Sequence, residues 1–232
     1  MSTEPDYDNN YYKNNGQDAD RIALVWYARL IKTHFQRGPT LEFGAGVGHL
    51  TKRIPTPSYA FEINGYAKSK IQKNAKLARV IEFEEFEVLH DFFCGIVSLH
   101  VFEHLTESEV NETIELFHKL LSDGGRVLIS TPALNGFAHK IKGDEWIAFK
   151  DRTHINLKSS EYWINVFSEK NFMLVKTFSD GFYDFPYGSK FSFKNLKLLI
   201  VTLINLALKK PILRVDQGEN NIFIFEKKPT IS

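Results

Sequence analysis

Cysteine is almost missing from this chain of 232 residues: Cys94 stands alone, so no disulfide can form within it, and a reducing, cytoplasmic setting is expected. An excess of charge of one sign is missing too. Lys+Arg number 29 against Asp+Glu 28, a net of +1 that supplies no basic field, so nucleic acid is not expected as a partner. The longest apolar run, residues 198–208, holds eleven residues including Thr202 and Asn205, short of the roughly 20 needed to span a bilayer. Residues 1–20 are acidic and rich in Asn, without the apolar core of a signal peptide. Internal repeats and low-complexity tracts are absent as well. Aromatics are plentiful, at 14% of the chain with 20 Phe and 9 Tyr. Most should be core, with some left to line a pocket.

Residues 1–19 read as a flexible lead-in, yet Tyr7, Tyr11 and Tyr12 are out of place in purely disordered sequence, and the segment is expected to close over a site. From residue 20 to 232 a single domain is expected. Ile22, Ala23, Trp26, Leu30 and Ile31 recur at helical spacing, Asp18 or Asp20 is available as a cap, and Gly38-Pro39 ends the helix. Strand patterns then fall at 40–43, 58–63, 79–83, 95–100, 126–130, 172–178 and 221–227, with helical stretches at 48–53, 65–76, 107–121 and 159–170. Strands separated by helix-length segments imply right-handed crossovers, hence an α/β, doubly wound, mostly parallel seven-stranded sheet. Residues 133–158 lack periodicity and read as a substrate-side excursion over the strand ends, and 182–214 reads as a variable insert too long to be a plain connection.

Three glycines at alternate positions, Gly44, Gly46 and Gly48, follow the first strand. Without a Cβ such a turn reaches φ > 0 and lets a ligand lie against bare backbone at a helix N-terminus. A dinucleotide loop wants a third small residue at position 49, where His49 stands, and this weakens the alternative of an NAD(P)-dependent oxidoreductase. Glu42 precedes the loop and is placed to accept from an ammonium group, while Glu62 ends the second strand with two oxygens suited to ribose hydroxyls. The zwitterionic end of S-adenosylmethionine fits such a site better than a pyrophosphate.

The pattern Leu41-Glu42-Phe43-Gly44-Ala45-Gly46-Val47-Gly48 with Glu62 resembles the class I S-adenosylmethionine-dependent methyltransferases. The likeness continues through Ile96-Val97-Ser98-Leu99-His100-Val101-Phe102-Glu103-His104-Leu105 and Asp123-Gly124-Gly125-Arg126-Val127-Leu128-Ile129-Ser130-Thr131-Pro132, and spans about residues 20 to 178 plus the last strand. It implies a Rossmann-like methyltransferase fold with S-adenosylmethionine as cofactor and S-adenosylhomocysteine as product. By the same resemblance Glu42 and the glycine loop, Gly44, Ala45 and Gly46, hold the methionine moiety, Glu62 the ribose, and the stretch around Phe83 to Glu85, with Glu84, the adenine, while Ile63, Leu99 and His100 complete the cofactor set. The first helix is cut short by Pro55 and Pro57, so residues from elsewhere, such as Tyr11, Tyr12 or Arg21, are expected to roof part of the methionine side.

His100-Val101-Phe102-Glu103-His104 also matches H-x-x-E-H, an inverted zinc-protease motif. Zinc needs both histidines one turn apart on a helix, and here the helix starts only near Thr106, so no metal site is expected. His104 and His154 are the catalytic candidates. Members of the resembling family that act on sugars and small metabolites have an Asp-x-Thr-His stretch on the substrate side, as in Asp151-Arg152-Thr153-His154. His154 is expected to serve as general base, with His104 assisting, for an O or N nucleophile of a small-molecule acceptor. Trp146, Tyr162 and Trp163 could line the acceptor pocket. The apolar stretch of the late insert, flanked by Lys190, Lys194, Lys197, Lys209 and Lys210, describes a helix packed on the sheet edge, a homodimer contact in place of a monomer, or a peripheral membrane contact. A cofactor-binding but inactive scaffold that uses this insert for a partner is the non-enzyme alternative.

Overall fold

The computed structural model describes residues 18–188, 193–208 and 210–229. Tyr7, Tyr11 and Tyr12 lie outside the described residues. Seven strands, β1 (Thr40–Phe43), β2 (Ser58–Phe61), β3 (Arg79–Val80), β4 (Phe93–Leu99), β5 (Leu121–Pro132), β6 (Phe172–Ser179) and β7 (Asn220–Lys227), form one sheet in the order β3-β2-β1-β4-β5-β7-β6. β1 runs parallel to β2 and β4, and β2 to β3, whereas β6 and β7 pair antiparallel with an irregularity between Leu174 and Lys176. Two compact units divide the chain, one running to Ser98 and taking in Lys119–Arg126, the other Leu99–His118 with Val127 onward.

In the first unit α1 (Ala23–His34) buries Trp26, Tyr27, Ala28, Leu30 and Ile31, the stripe that the sequence spacing marks. Neither Asp18 nor Asp20 caps it: Ile22 is the cap residue and makes no side-chain bond. Asp20 instead pairs with Lys52 at 2.5 Å and Arg53 at 2.8 Å, and Asp18 accepts from the Tyr66 hydroxyl at 3.1 Å. Gly38 lies so close to β4 that a Cβ there would stand 2.3 Å from Cys94 Sγ. The helix expected at 48–53 shrinks to a 3-10 turn, Thr51–Arg53, because Pro55 removes an amide and bars its continuation. β3 stops at Val80 rather than residue 83, because Glu82 and Glu85 form a reciprocal capping box that starts a 3-10 turn, Phe83–Glu87. α2 (Gly65–Asn74) is capped by Asn64, whose Oδ1 accepts from the Ala67 amide.

α3 (Glu107–Leu120), which begins in the second unit, buries Val110, Ile114 and Phe117 and leads straight into β5, with Gly124, in the first unit, at φ +69 where a separate turn is expected. The excursion 133–158 contains two short helices, α4 (Phe137–Lys142) and α5 (Ile147–Lys150), too brief for their periodicity to show in sequence. α6 (Ser160–Glu169) is capped by Ser159 and places Phe167 flat on Phe225 of β7, ring centroids 4.1 Å apart. Each such buried Phe stabilises by roughly 1.5–3 kcal/mol. The late insert carries α7 (Phe193–Leu208). Among the described residues no helix is long and apolar enough to cross a membrane.

Candidate functional site

In the first unit the chain leaves β1 through Gly44, Gly46 and Gly48 at φ +75, +52 and +82, all left-handed and suited to residues without a Cβ. The Gly44 and Ala45 amides both donate to the Phe61 carbonyl, at 2.9 and 3.0 Å, and so bind the loop to the end of β2. Gly48 sits against α2, where a Cβ would lie 3.1 Å from Ile71 Cα. His49, in the third position of the dinucleotide pattern, bonds through Nε2 to the Asp18 carbonyl at 2.8 Å and so serves the entry to α1. The Ala45 side chain is buried with Ala60, Ile71 and Ala75, so only its backbone is left to meet a ligand.

Both acids flanking the loop are buried. Glu42 accepts from the Thr51 hydroxyl, and burial, opposed by that bond and reinforced by neighbouring Glu62, pushes its carboxyl up to about 8. Glu62 grips the loop itself: Oε2 accepts from the Gly46 amide at 2.7 Å and Oε1 from the Asn64 amide at 2.9 Å. Burial raises its pKa as well, with those backbone donors working against the rise. Ile63, directly after Glu62, is 75% exposed, and Phe83, whose ring centroid lies 6.3 Å from that of Phe61, is 63% exposed, so both present apolar surface to solvent. Glu84 is exposed on the Phe83–Glu87 turn and Arg21 is exposed just before α1, whereas Leu99, half-buried at the end of β4, belongs to the second unit. Tyr12 is not described. These groups fit the cofactor that the sequence implies: a carboxyl for an ammonium, a carboxylate for hydroxyls, bare loop backbone, and apolar faces for an aromatic base.

A second constellation lies wholly in the second unit. His100, immediately after β4, takes φ +56, a conformation uncommon outside glycine, while its amide donates to the Ser130 carbonyl at 2.9 Å. The 3-10 turn Phe102–His104 is nailed down by Phe102, fully buried with ring centroids 5.7 Å from Phe167 and 5.8 Å from Trp163. Glu103 is fully buried too. Its Oε1 meets His100 Nδ1 at 3.1 Å, whereas Oε2 has no hydrogen-bond partner among the described residues. Its backbone carbonyl accepts from the Asn156 amide at 3.0 Å, which draws the 151–158 stretch alongside.

That contact brings the two candidate histidines together, ring centroids 4.7 Å apart. His154 Nδ1 lies 2.7 Å from the Ala148 carbonyl, an acceptor only, so Nδ1 carries the proton and Nε2 the lone pair. His104 Nδ1 lies 3.2 Å from the Thr153 carbonyl and 2.9 Å from Thr153 Oγ1, whose own proton goes to Asp151 Oδ1 at 2.6 Å, so His104 takes the same tautomer. Asp151 Oδ2 stands 3.8 Å from His154 Nε2. Burial, and then the neighbouring His154, hold His104 below its usual pKa against the pull of Glu103 and Asp151. Burial alone would raise Asp151 and Glu103; the Thr153 donors keep Asp151 low, and the His100 bond with the surrounding imidazoles keeps Glu103 low. Glu103, His104 and His154 each offer a ligand atom within 4.8 Å of the others, a set to which a divalent cation could bind. His100 and His104 do not share a helix, since α3 begins at Glu107, so the zinc-protease geometry is not formed. Trp146 and Trp163 are core residues, each 1% exposed. The roles of Glu103, Thr153 and Thr51 escape a reading of the sequence, although Glu103 lies inside the H-x-x-E-H match and Thr153 inside the Asp-x-Thr-His stretch.

A family model described as a methyltransferase domain matches residues 17–177 of this chain. An uncharacterized methyltransferase of Anoxybacillus flavithermus is 30% identical over 134 residues, 55% of this chain and 62% of that protein, so the chain matches less than two thirds of its relative's length. A SAM-dependent methyltransferase structure from Archaeoglobus fulgidus superposes over 95% of this chain and 100% of its own with a TM-score of 0.64 at 17% identity. An S-adenosylmethionine-dependent methyltransferase from Mesorhizobium loti does so over 90% and 100% with a TM-score of 0.58 at 12% identity. At those identities the likeness is one of fold.

Proposed function

The chain belongs to the methyltransferase-domain family, as its resemblance to the class I S-adenosylmethionine-dependent enzymes implies, and we propose that it methylates an oxygen or nitrogen nucleophile of a small molecule, a sugar or glycan-linked metabolite. The likeness to SAM-dependent methyltransferases supports S-adenosylmethionine as the donor, which when bound supplies an electrophilic methyl on a sulfonium sulfur. Within the chain, Glu42 offers its carboxyl to the ammonium, Glu62 its remaining acceptor capacity to the ribose, and the Gly44–Gly46 backbone a surface without Cβ atoms. Ile63 and Phe83 give apolar cover.

One observation carries the acceptor side: two neighbouring imidazoles, each with Nδ1–H held by a carbonyl, present Nε2 as the lone-pair nitrogen beside a buried carboxylate. His154 takes the acceptor's proton at Nε2, and Asp151 stabilises the imidazolium that results. His104, fixed by Thr153, orients the nucleophile, and positioning supplies the larger part of the rate in a direct displacement. The Asp151-to-His154 stretch supports the sugar class through the resemblance that it carries. Calorimetric titration with S-adenosylmethionine and with NADH, followed by measurement of S-adenosylhomocysteine formed with a panel of hydroxyl and amine acceptors, tests the reading. Binding of NADH in place of S-adenosylmethionine restores the oxidoreductase. Cofactor binding with no turnover on any acceptor favours the scaffold.

A further inference from the structure

α7 has its faces reversed. Its inward face is largely polar: Asn195 and Asn205 are buried, Asn195 Oδ1 accepts from the Tyr187 amide at 2.8 Å, and Thr202 donates to the Gly181 carbonyl at 2.6 Å. Between them Leu198 enters a core with Trp146, Ala148, Tyr183 and Tyr187. Its outward residues are apolar: Phe193, Leu196, Leu199, Ile200, Leu203 and Ile204 are 43% to 73% exposed. At about 100° per residue these lie across the helix from Leu198, Thr202 and Asn205. A contiguous apolar face of that extent marks a surface that meets something other than water.

The charges around it select what it meets. From residue 185 to 215 the sequence holds Lys190, Lys194, Lys197, Lys209, Lys210 and Arg214 and not one Asp or Glu. Lys194, Lys197, Lys210 and Arg214 are exposed. A second copy of this chain, docked face to face, would set this cationic segment against itself. An anionic bilayer answers both features, with an acyl boundary for the leucines and headgroup phosphates for the lysines. With 16 residues the helix is too short to cross and would lie in the plane of the interface. We propose that α7 seats this protein on an anionic membrane surface. The core that receives Leu198 also contains Ala148, whose carbonyl fixes His154, so the docking helix and the stretch carrying the proposed base share one packed unit.

The test is flotation of the full chain with phosphatidylcholine vesicles, either pure or carrying phosphatidylglycerol. Retention is expected on the anionic vesicles, weakening several-fold as salt rises from about 50 to 300 mM. The double variant Leu199→Glu with Leu203→Glu, exposed positions whose change leaves the buried face intact, should abolish retention while circular dichroism reports an unchanged fold. No retention at low salt would overturn the proposal, as would retention that the double variant leaves intact, or a soluble dimer by sedimentation that the double variant dissociates. Titration of the same preparations with S-adenosylmethionine keeps the methyltransferase reading separately testable.

Discussion

Glu62 Oε2 accepts the Gly46 amide at 2.7 Å, so the acid expected to serve the ribose also holds the glycine loop closed. With Oε1 on the Asn64 amide at 2.9 Å, one carboxylate fixes the loop and the entrance to α2 together. A carboxylate offers about four acceptor sites, so this structural duty leaves room for a hydroxyl.

Glu42 titrates with a clear sign. Its folded pKa of about 8 stands above the ordinary 4.5, so between those values the folded chain holds a proton that the unfolded chain has lost, and stability falls as pH rises through that window. Thermal melts from acid to mildly alkaline pH should show this decline, and Glu42→Gln should flatten it. If Glu42 ionises to receive the cofactor's ammonium, binding near neutral pH releases up to about one proton, read by calorimetry in buffers of different ionisation enthalpy.

Gly48→Ala should destabilise the fold by about 2 kcal/mol in chemical denaturation, since φ +82 opposes a Cβ and the added atom would meet Ile71 Cα at 3.1 Å. Gly65→Ala, where a Cβ meets nothing within 4 Å, should be close to neutral and serves as the control.

His154→Ala should lower kcat by roughly 10²- to 10⁴-fold on an acceptor that must lose a proton, with cofactor affinity unchanged. Thr153→Val, which removes the hydroxyl beside His104 but leaves both imidazoles, should lower kcat less and move the pH profile. Wild-type kcat in His154→Ala with the true acceptor would remove the base from the mechanism.

Zinc should inhibit. Glu103, His104 and His154 gather three ligand atoms within 4.8 Å, and a thiophilic or imidazole-seeking cation bound there would occupy the lone pairs needed for proton transfer. Addition of Zn²⁺ should lower turnover, a chelator should restore it, and Glu103→Gln should weaken the inhibition.

The sequence by itself determined the glycine turn and the succession of strands and helices along the chain. Alternate glycines, an acid before them and another at the next strand end are local facts, because φ > 0 and close backbone approach can be met at Gly44, Gly46 and Gly48 within a few residues. The alternation of strand and helix lengths likewise follows from periodicity along short stretches. Only tertiary structure decided that Glu103 would be buried under His100, and that Thr153 would reach His104 from 49 residues away. It also decided that α7 turns Asn195 and Asn205 inward and leaves Leu196, Leu199 and Leu203 exposed. Composition records that a segment is apolar and basic; which face packs depends on what waits across the chain, here the Tyr187 amide and the Gly181 carbonyl, whose demand for partners no local pattern encodes.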